Sequence, residues 1–503
     1  MNKATDISPR SARSPRKKWV SVGLLGAPAL LLAGCMVGPN YQPTKPAELP
    51  AAWDGTTVAA PGQTSVATTE TARISEWWGV LNDPTLTRLV SDALKANLDL
   101  RTAVSALREA RATRNVTAAS FWPSANATGS YQRSNTGSAA GNTGTTVGGT
   151  GTTVGGIGAA QDLFQVGLDA TWELDFFGGV RRGTEAADAN VDAAVENLRD
   201  ARVSVAAEVA TDYVALRAFQ QRIQIAHDNL KAQQHTAEVT RKKFKGGLVG
   251  LLDVANAEAA VATTEATIPP LETSERQTIY ALSVLLARPP SALKEELSTA
   301  GPIPQAPAQV PVGLPSALLQ RRPDIRQREA LIHAATAQIG VAKAEWFPQF
   351  SLTGAFGYES DKVRTLLRSG NSIWSFGPSV TWPIFTAGRI QSNIEVQNAA
   401  QEQALLAYQK TVLTALQDVE SSLVAFALEQ EHRQLLDQAV KANTRAVNLA
   451  TQLYTQGTTD FLSVLVAQQS LLSSQDALAQ SSQAIAVDLV SLYKALGGGW
   501  ETK

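Results

Sequence analysis

Acidic side chains alternate with apolar ones along residues 166–176 and are the first candidates for chemistry in this sequence. Asp169, Glu173 and Asp175 fall on one side of an extended chain, where carboxylates can attract cations or line a water-filled passage. Both interpretations stay open at this point. The four histidines have no metal-ligand spacing, and the sequence contains no serine-hydrolase, zinc-protease or phosphate-loop motif. We therefore expect no enzyme, no catalytic residue and no metal site.

The first 34 residues have the composition of a secretory signal. Basic residues cluster between positions 10 and 18 and precede an apolar or small-residue run over positions 20–33. Such a run is too short to span a bilayer comfortably and fits the hydrophobic part of a signal peptide. We expect residues 1–34 to be removed from the mature protein.

Cys35, the only cysteine, directly follows this run in the order Leu32-Ala33-Gly34-Cys35. Small residues immediately before a cysteine resemble the lipobox of bacterial lipoproteins, in which the thiol is acylated and becomes the mature N-terminus. Met36 stands where an Asp tends to retain lipoproteins in the inner membrane, so the outer membrane is favoured. A small buried thiol is the alternative. We expect a covalent lipid on Cys35 and no other cofactor.

The composition excludes several classes of function. The chain has 503 residues, 44% of them apolar, and a net charge of −1. A nearly neutral chain carries no basic footprint for nucleic acid. One cysteine supplies neither a disulfide scaffold nor a multi-cysteine metal site. The apolar content is sufficient for a large core, which argues against general disorder.

Four short segments alternate apolar and polar residues with the period of a β-strand. They span residues 124–132, 166–176, 350–358 and 374–384, and about 9–11 residues suffice for a tilted strand to cross a bilayer. Strands of an ordinary β-sandwich alternate in the same way. The membrane is favoured because half of the ten tryptophans lie in or beside these segments, and such aromatics anchor at membrane–water interfaces. The candidate interface residues are Trp122, Trp172, Trp346 and Trp382.

Two very long helices are predicted between the strands, because residues 184–245 and 389–456 contain neither Gly nor Pro. Each ends at a glycine, and the chain returns as a second helix over 251–287 and 458–496. In 389–456, apolar residues recur every three or four positions, as in the seam of a left-handed coiled coil. The seam consists of Val412, Leu416, Val419, Leu423, Phe426, Leu435, Ala439, Ala442, Ala446, Leu449 and Leu453.

The sequence contains an internal repeat. Residues 121–123 align with 346–348 at an offset of 225, and residues 171–172 align with 381–382 at an offset of 210. The difference falls in a Gly/Thr/Ser-rich tract over 134–160. The chain is therefore two copies of one strand–helix unit. Because about eight strands are the minimum for a barrel, four require partners, and a trimer or a tetramer would supply them.

The predicted fold is a mixed α and β membrane protein, in which an oligomeric β-barrel continues into a long coiled-coil α-helical barrel. Each region is drawn from separate parts of the chain. We expect a signal peptide over 1–34, an extended lipidated segment over 35–82, β-barrel hairpins over 123–178 and 348–387, periplasmic α-barrel segments over 83–122, 179–288, 324–347 and 388–496, and equatorial or linker segments over 289–323 and 497–503.

Specific motifs then resemble a known family. They are Trp172 to Gly178, Arg321 to Ile325, Pro383-Ile384-Phe385 before Gly388-Arg389, and Tyr454 with Gly457 and Phe461-Leu462. In this order they are similar to the TolC/OprM/NodT family of outer-membrane efflux factors, and Cys35 points to its lipidated branch. The resemblance implies a homotrimer with a 12-stranded barrel, four strands from each chain, which is the exit duct of a tripartite pump. The implied partners are outer-membrane lipid, a periplasmic adaptor protein and an inner-membrane pump, usually of the resistance-nodulation-division class.

The resemblance also implies a gate at the periplasmic tip. Tyr454 matches a tyrosine that helps to hold neighbouring helices together in relatives, and Leu462 matches a leucine that narrows the aperture. Val466 and Ser463 stand where relatives carry aspartates. We hypothesise closure by apolar side chains, which can exclude water from a pore, while coiled-coil packing is the alternative role for Leu462 and Val466. The expected sources of negative charge are Asp460 and Asp253.

Two other functions stay open. One is an outer-membrane duct for type I protein or oligosaccharide secretion, and the other is a trimeric coiled-coil surface protein without a conduit. The repeat and the returning helices argue against the surface protein. The expected cargo is drugs or other small molecules, and the sequence does not name it.

Overall fold

The computed structural model describes residues 36–43, 49–58, 61, 63–70, 74–134 and 160–500. The predicted signal segment, Cys35 and most of the Gly/Thr/Ser-rich tract lie outside these residues. The described chain has a mixed α and β fold that is mostly helical, as expected. Its helices are α1 (Pro84–Ala96), α2 (Leu98–Ala119), α3 (Gly179–Lys245), α4 (Leu251–Leu285), α5 (Lys294–Leu297), α6 (Leu318–Arg321), α7 (Pro323–Ala344), α8 (Arg389–Gln456) and α9 (Phe461–Ala495). Its strands are β1 (Val66–Thr68), β2 (Ser124–Ser134), β3 (Gln161–Leu174), β4 (Gln309–Pro311), β5 (Gln349–Ser360) and β6 (Ser372–Thr381).

The chain divides into two compact units. One contains Phe121–Gly179 and Ala344–Pro383 with the described residues up to Val37, and the other contains Gly38–Ser120, Val180–Lys343 and Ile384–Lys503. The first unit holds the four long strands, and the second holds the helices together with the short parallel pair β1–β4.

The four long strands form one antiparallel sheet in the order β2-β3-β5-β6. The predicted strands over 166–176 and 374–384 reached two to three residues too far, because β3 ends at Leu174 and β6 ends at Thr381. Leu174 pairs with Phe350, which is next to the first residue of β5. The ladder between β3 and β5 therefore ends at this point. After β6, Pro383 has no N–H group to extend the ladder.

Local signals fix the helix boundaries. Asp83 precedes α1, and its carboxylate accepts hydrogen bonds from the N–H groups of Thr85 and Leu86 at 2.9 and 3.0 Å. At the other end of the longest helices, Gly247 and Gly457 adopt φ values of +70° and +77°, which glycine reaches at little cost. The offset of 210 that aligns these two glycines therefore aligns two identical helix ends.

The predicted seam of α8 is largely buried in its first half and largely exposed in its second half on the single chain. Val419 and Phe426 are buried, whereas Leu435 and Leu449 are 56% and 57% exposed. The first half is covered by the N-terminal segment, since the Glu420 carboxylate accepts hydrogen bonds from backbone N–H groups near position 54. Within the described part of the chain, α8 also contains a window whose length and composition would suit a membrane span, and only a third of that window is buried.

The core of the helical unit is built around large aromatic side chains of the N-terminal segment. Trp53 is buried and donates its indole N–H to the Gly313 carbonyl at 3.0 Å. Trp77 stacks on Tyr493 of α9 with ring centroids 5.4 Å apart. These contacts fasten the described part of residues 49–81 to the linker at Gly313 and to α9, and the regular elements of that described part are short 3-10 turns and β1.

Candidate functional site

The strand register places apolar side chains on one face of the four-stranded sheet and polar side chains on the other. Leu168 lies beside Phe356, which lies beside Trp374 on the next strand, and all three are exposed. On the opposite face, Asn126 donates a hydrogen bond to the Asp169 carboxylate at 3.1 Å. Because each face keeps its polarity over most of the sheet, with Leu163 and Ile373 as apolar exceptions on the polar face, one side is suited to lipid and the other to water.

The predicted lumen acids differ in their placement. Asp169 and Glu173 lie on the polar face of β3, where their neighbours on β5 are Ala355 and Ser351. Asp175 follows the end of the strand and is half-buried. Over the described ranges, no group of three or more His, Cys, Asp or Glu is arranged to hold a metal ion. The polar face is therefore suited to contact with water, and its carboxylates are not clustered into a metal site.

The predicted interface tryptophans lie at one end of the sheet, where β2 and β5 begin and β3 and β6 end. Trp172 donates its indole N–H to the Phe121 carbonyl at 2.9 Å, and Trp382 donates to the Trp346 carbonyl at 3.1 Å. The two copies of the repeat thus share one bond geometry. Trp122, which precedes β2, is exposed, as are Trp346 and Trp382. An exposed aromatic band at a sheet end is suited to a membrane–water interface.

The turn between α8 and α9 brings together several helix ends around Tyr454. This side chain is buried, and its hydroxyl donates to Thr240 Oγ1 of α3 at 3.1 Å. Its ring packs edge-on against Phe461, with centroids 5.6 Å apart. The Lys243 ammonium lies 4.3 Å from the ring centroid and donates to the Tyr454 backbone carbonyl. Burial raises the pKa of Tyr454, so its hydroxyl stays protonated and can donate.

The other predicted aperture residues separate into two groups. Asp460 caps α9, and its carboxylate accepts from the Ser463 N–H at 3.1 Å and from the Ser463 hydroxyl at 2.7 Å, which lowers the pKa of Asp460. Both residues therefore stabilise the helix start. Leu462 and Val466, 56% and 53% exposed, lie one helical turn apart on an open face of α9. Asp253 lies in the first turn of α4, is half-buried, and its charge contributes to the raised pKa of Tyr454.

Sequence reasoning missed an apolar surface at the turn between α3 and α4. Phe244, Leu248, Leu251 and Leu252 are all exposed there, with Leu248 75% exposed. The sequence did contain a signal for this surface, because four large apolar side chains surround a glycine turn, where polar residues are usual. The equivalent turn between α8 and α9 buries its aromatic residue, so the two copies of the repeat differ at this point.

Comparisons with known proteins give one consistent result. The family model described as outer membrane efflux protein matches residues 89–288 and 314–498. Nodulation protein T of Rhizobium leguminosarum bv. viciae is 33% identical over 472 residues, which cover 94% of this chain and 92% of that protein. The toluene efflux pump outer membrane protein TtgC of Pseudomonas putida is 33% identical over 485 residues, 95% of each chain. The solved outer-membrane channel OprN superposes with a TM-score of 0.82 at 33% identity, covering 93% of this chain and 100% of that one.

These matches extend over 93–95% of the chain and include every motif that suggested the resemblance. They confirm the predicted family, the outer-membrane location and the role in efflux. The chain therefore belongs to the outer membrane efflux protein family, whose members are outer-membrane channel components of efflux pumps.

Proposed function

We propose that three copies of this chain form a passive, gated exit duct, in which four strands from each copy close a 12-stranded barrel. The observation that carries the proposal is the four-stranded sheet with faces of opposite polarity. Across the described residues, its outer strands β2 and β6 each pair on one side only. Edge strands of 11 and 10 residues are open to pairing with another chain. Since a barrel needs about eight strands, three copies joined edge to edge exceed that minimum.

A stripe of apolar side chains on α8 supports helical contact between copies. Leu428, Leu435, Ala442 and Leu449 follow one another at heptad spacing and are exposed on the single chain. Heptad spacing is the seam of a left-handed coiled coil. We infer that helices of a neighbouring copy cover this stripe, which makes the α-helical barrel depend on assembly.

The pump partners follow from the position of the duct in the outer membrane. We propose that the duct works with an energised inner-membrane pump, of the resistance-nodulation-division class that the family resemblance implies, and with an adaptor that connects the two. We infer that the adaptor covers the exposed apolar turn formed by Leu248, Leu251 and Leu252, because exposed patches of this kind mark protein contacts. Cys35 would carry the lipid that fastens the N-terminus to the membrane.

Leu462 and Val466 are proposed to form the closed aperture. Their exposed face on α9 is apolar over one full turn, while the nearby Asp460 is engaged as a helix cap. Three copies of such a face, brought together, would make a narrow apolar ring that excludes water. The carboxylates of Asp460 and Asp253 then contribute charge near the ring and do not themselves form it.

Disulfide trapping tests the arrangement of the barrel. Thr128 on β2 and Ser375, Gly377 or Ser379 on β6 share the polar face, and each β6 position is combined with Thr128→Cys. Within one chain β2 and β6 are three strand spacings apart, about 14 Å, which is too far for a disulfide. We expect at least one pair to give a covalent trimer in membranes, and the single variants to give none. Monomers alone, or dimers without trimers, would contradict the proposal.

Drug susceptibility tests the export function directly. A strain lacking this chain is expected to become more sensitive to at least one class of drugs, and the wild-type gene should restore resistance. Unaltered sensitivity to every class would count against drug efflux.

A further inference from the structure

A cavity of about 520 Å³ lies between α3, α4 and α9 in the helical unit. Small side chains leave this space open, among them Ala226, Ala260 and Ser473. Helix α4 also carries Pro269 and Pro270 here, and Pro270 lines the cavity. Consecutive prolines remove two backbone donors, so α4 lacks two of its internal hydrogen bonds at this level.

Gln233 of α3 lines one end of the cavity and carries an acceptor without a donor. This residue is 3% exposed, and its side-chain oxygen Oε1 is buried with no hydrogen-bond partner. Buried side-chain acceptors are almost always satisfied, and an unsatisfied one costs stability. A donor group entering the cavity would recover that cost once the Gln233 amide turns towards it.

The only ion pair among the described residues of the cavity lining is already neutralised. Arg222 and Asp476 join through Nε to Oδ1 at 2.5 Å and Nη2 to Oδ2 at 3.1 Å. Asp476 also accepts a hydrogen bond from Gln480 at 2.6 Å. Because these charges are paired, the site selects neither a cation nor an anion. Arg222 and Gln233 are eleven residues apart on α3, about 16 Å along the helix, which is the length of a drug-sized molecule.

We propose that this cavity binds an uncharged, largely apolar small molecule that donates one N–H or O–H group to Gln233 Oε1. The volume, the predominantly apolar lining surface and an unsatisfied acceptor on a lining residue are features of a small-molecule site. The site goes beyond the proposed duct, since a passive conduit needs no binding site between the helices of its wall. A bound molecule contacts α3, α4 and α9 at once and links their positions.

N-phenyl-1-naphthylamine is a suitable probe, because it is uncharged, apolar and has one N–H donor. Its binding to the full-length assembled protein in lipid nanodiscs is measured by equilibrium dialysis, with binding to empty nanodiscs subtracted. We expect saturable binding of one molecule per chain. Gln233→Leu should weaken the affinity about five- to tenfold through loss of the hydrogen bond. Ser473→Trp, at an exposed position of the lining, should abolish binding by filling the space.

Gln468→Leu is the matched control. Gln468 is a buried glutamine on α9 whose Nε2 donates to Thr236 at 3.0 Å, and it does not line the cavity. Its replacement should leave the affinity unchanged. Absence of saturable binding to the wild type, or equal affinities for the wild type, Gln233→Leu and Ser473→Trp, would overturn the proposal. Neither outcome contradicts the proposed duct, because disulfide trapping of the trimer and drug susceptibility test the duct independently.

Discussion

The Tyr454 hydroxyl donates a hydrogen bond to Thr240 Oγ1 and so ties the last turn of α8 to the end of α3. Thr240 in turn donates to the Thr236 carbonyl at 2.9 Å, and the Tyr454 ring packs against Phe461 at the start of α9. Three helix ends therefore meet on one aromatic side chain, close to the proposed aperture residue Leu462. A movement of α8 and α9 away from α3 has to break this bond.

Replacing Tyr454 by Phe keeps the ring contact and removes the donor. We expect the closed state to lose about 1 kcal/mol, so that the closed-state leak in planar bilayers rises about fivefold. Thr240→Val should have a similar effect, and the double variant should add little because both changes remove the same bond. An unchanged leak in Tyr454→Phe would show that the bond does not hold the closed state.

A polar side chain at the aperture should let water into the closed pore. Leu462→Ser and Val466→Asp are both expected to raise closed-state conductance several-fold, since the apolar ring becomes wettable. Leu252→Ser is the matched control, because the offset of 210 places Leu252 at the equivalent position of the first copy and it is also exposed. Equal leak in wild type and both aperture variants would remove Leu462 and Val466 from the gate.

Asp488 predicts a dependence of stability on pH. Burial, and then the charge of Glu429, raise the pKa of Asp488 to about 6 from an ordinary value near 3.8. The folded state binds this proton more tightly than the unfolded state, so the contribution of Asp488 to stability falls as pH rises from about 4 to 6 and stays low above that range.

Asp488→Asn removes this penalty. Thermal unfolding should show the variant to be more stable than the wild type at pH 7.5, with the difference shrinking towards pH 4. Asp437→Asn, at a more exposed position paired with Lys441, serves as the control and should not reproduce that pattern. A stability difference that does not change with pH would contradict the assignment to Asp488.

The close approach between β3 and β5 depends on glycine at position 357. A Cβ atom there would lie 2.6 Å from the Val166 carbonyl oxygen, so Gly357→Ala must push the strands apart. We expect a loss of about 1–3 kcal/mol, seen as a lower unfolding temperature of the assembled protein. Gly377→Ala on β6 is the control, because a Cβ at that position meets no atom of the same chain within 4 Å and Gly377 shares the sheet with Gly357. Similar unfolding temperatures for the two variants would show that the sheet adapts without cost.

Elements with local causes were predicted well. Helix α8 spans Arg389–Gln456, as the absence of Gly and Pro indicates, and Gly457 ends it through its positive φ. The strand ends were less accurate, because pairing decides them and the partner strand is distant in sequence. The heptad pattern also could not predict which part of the α8 seam is buried. Val419 is fully buried and Leu449 is 57% exposed, although both satisfy the same spacing.

The family was predicted from a few motifs that resemble it. The order of strands and long helices, and the alternation that gives each strand two faces, followed from periodicity and turn residues, which act over a few positions. Other relationships are visible in the folded chain alone, namely that Tyr454 meets Thr240 and that the Gln233 oxygen lies buried without a partner beside a cavity. Such relationships join residues from different helices, or depend on side-chain geometry, and no local pattern encodes them.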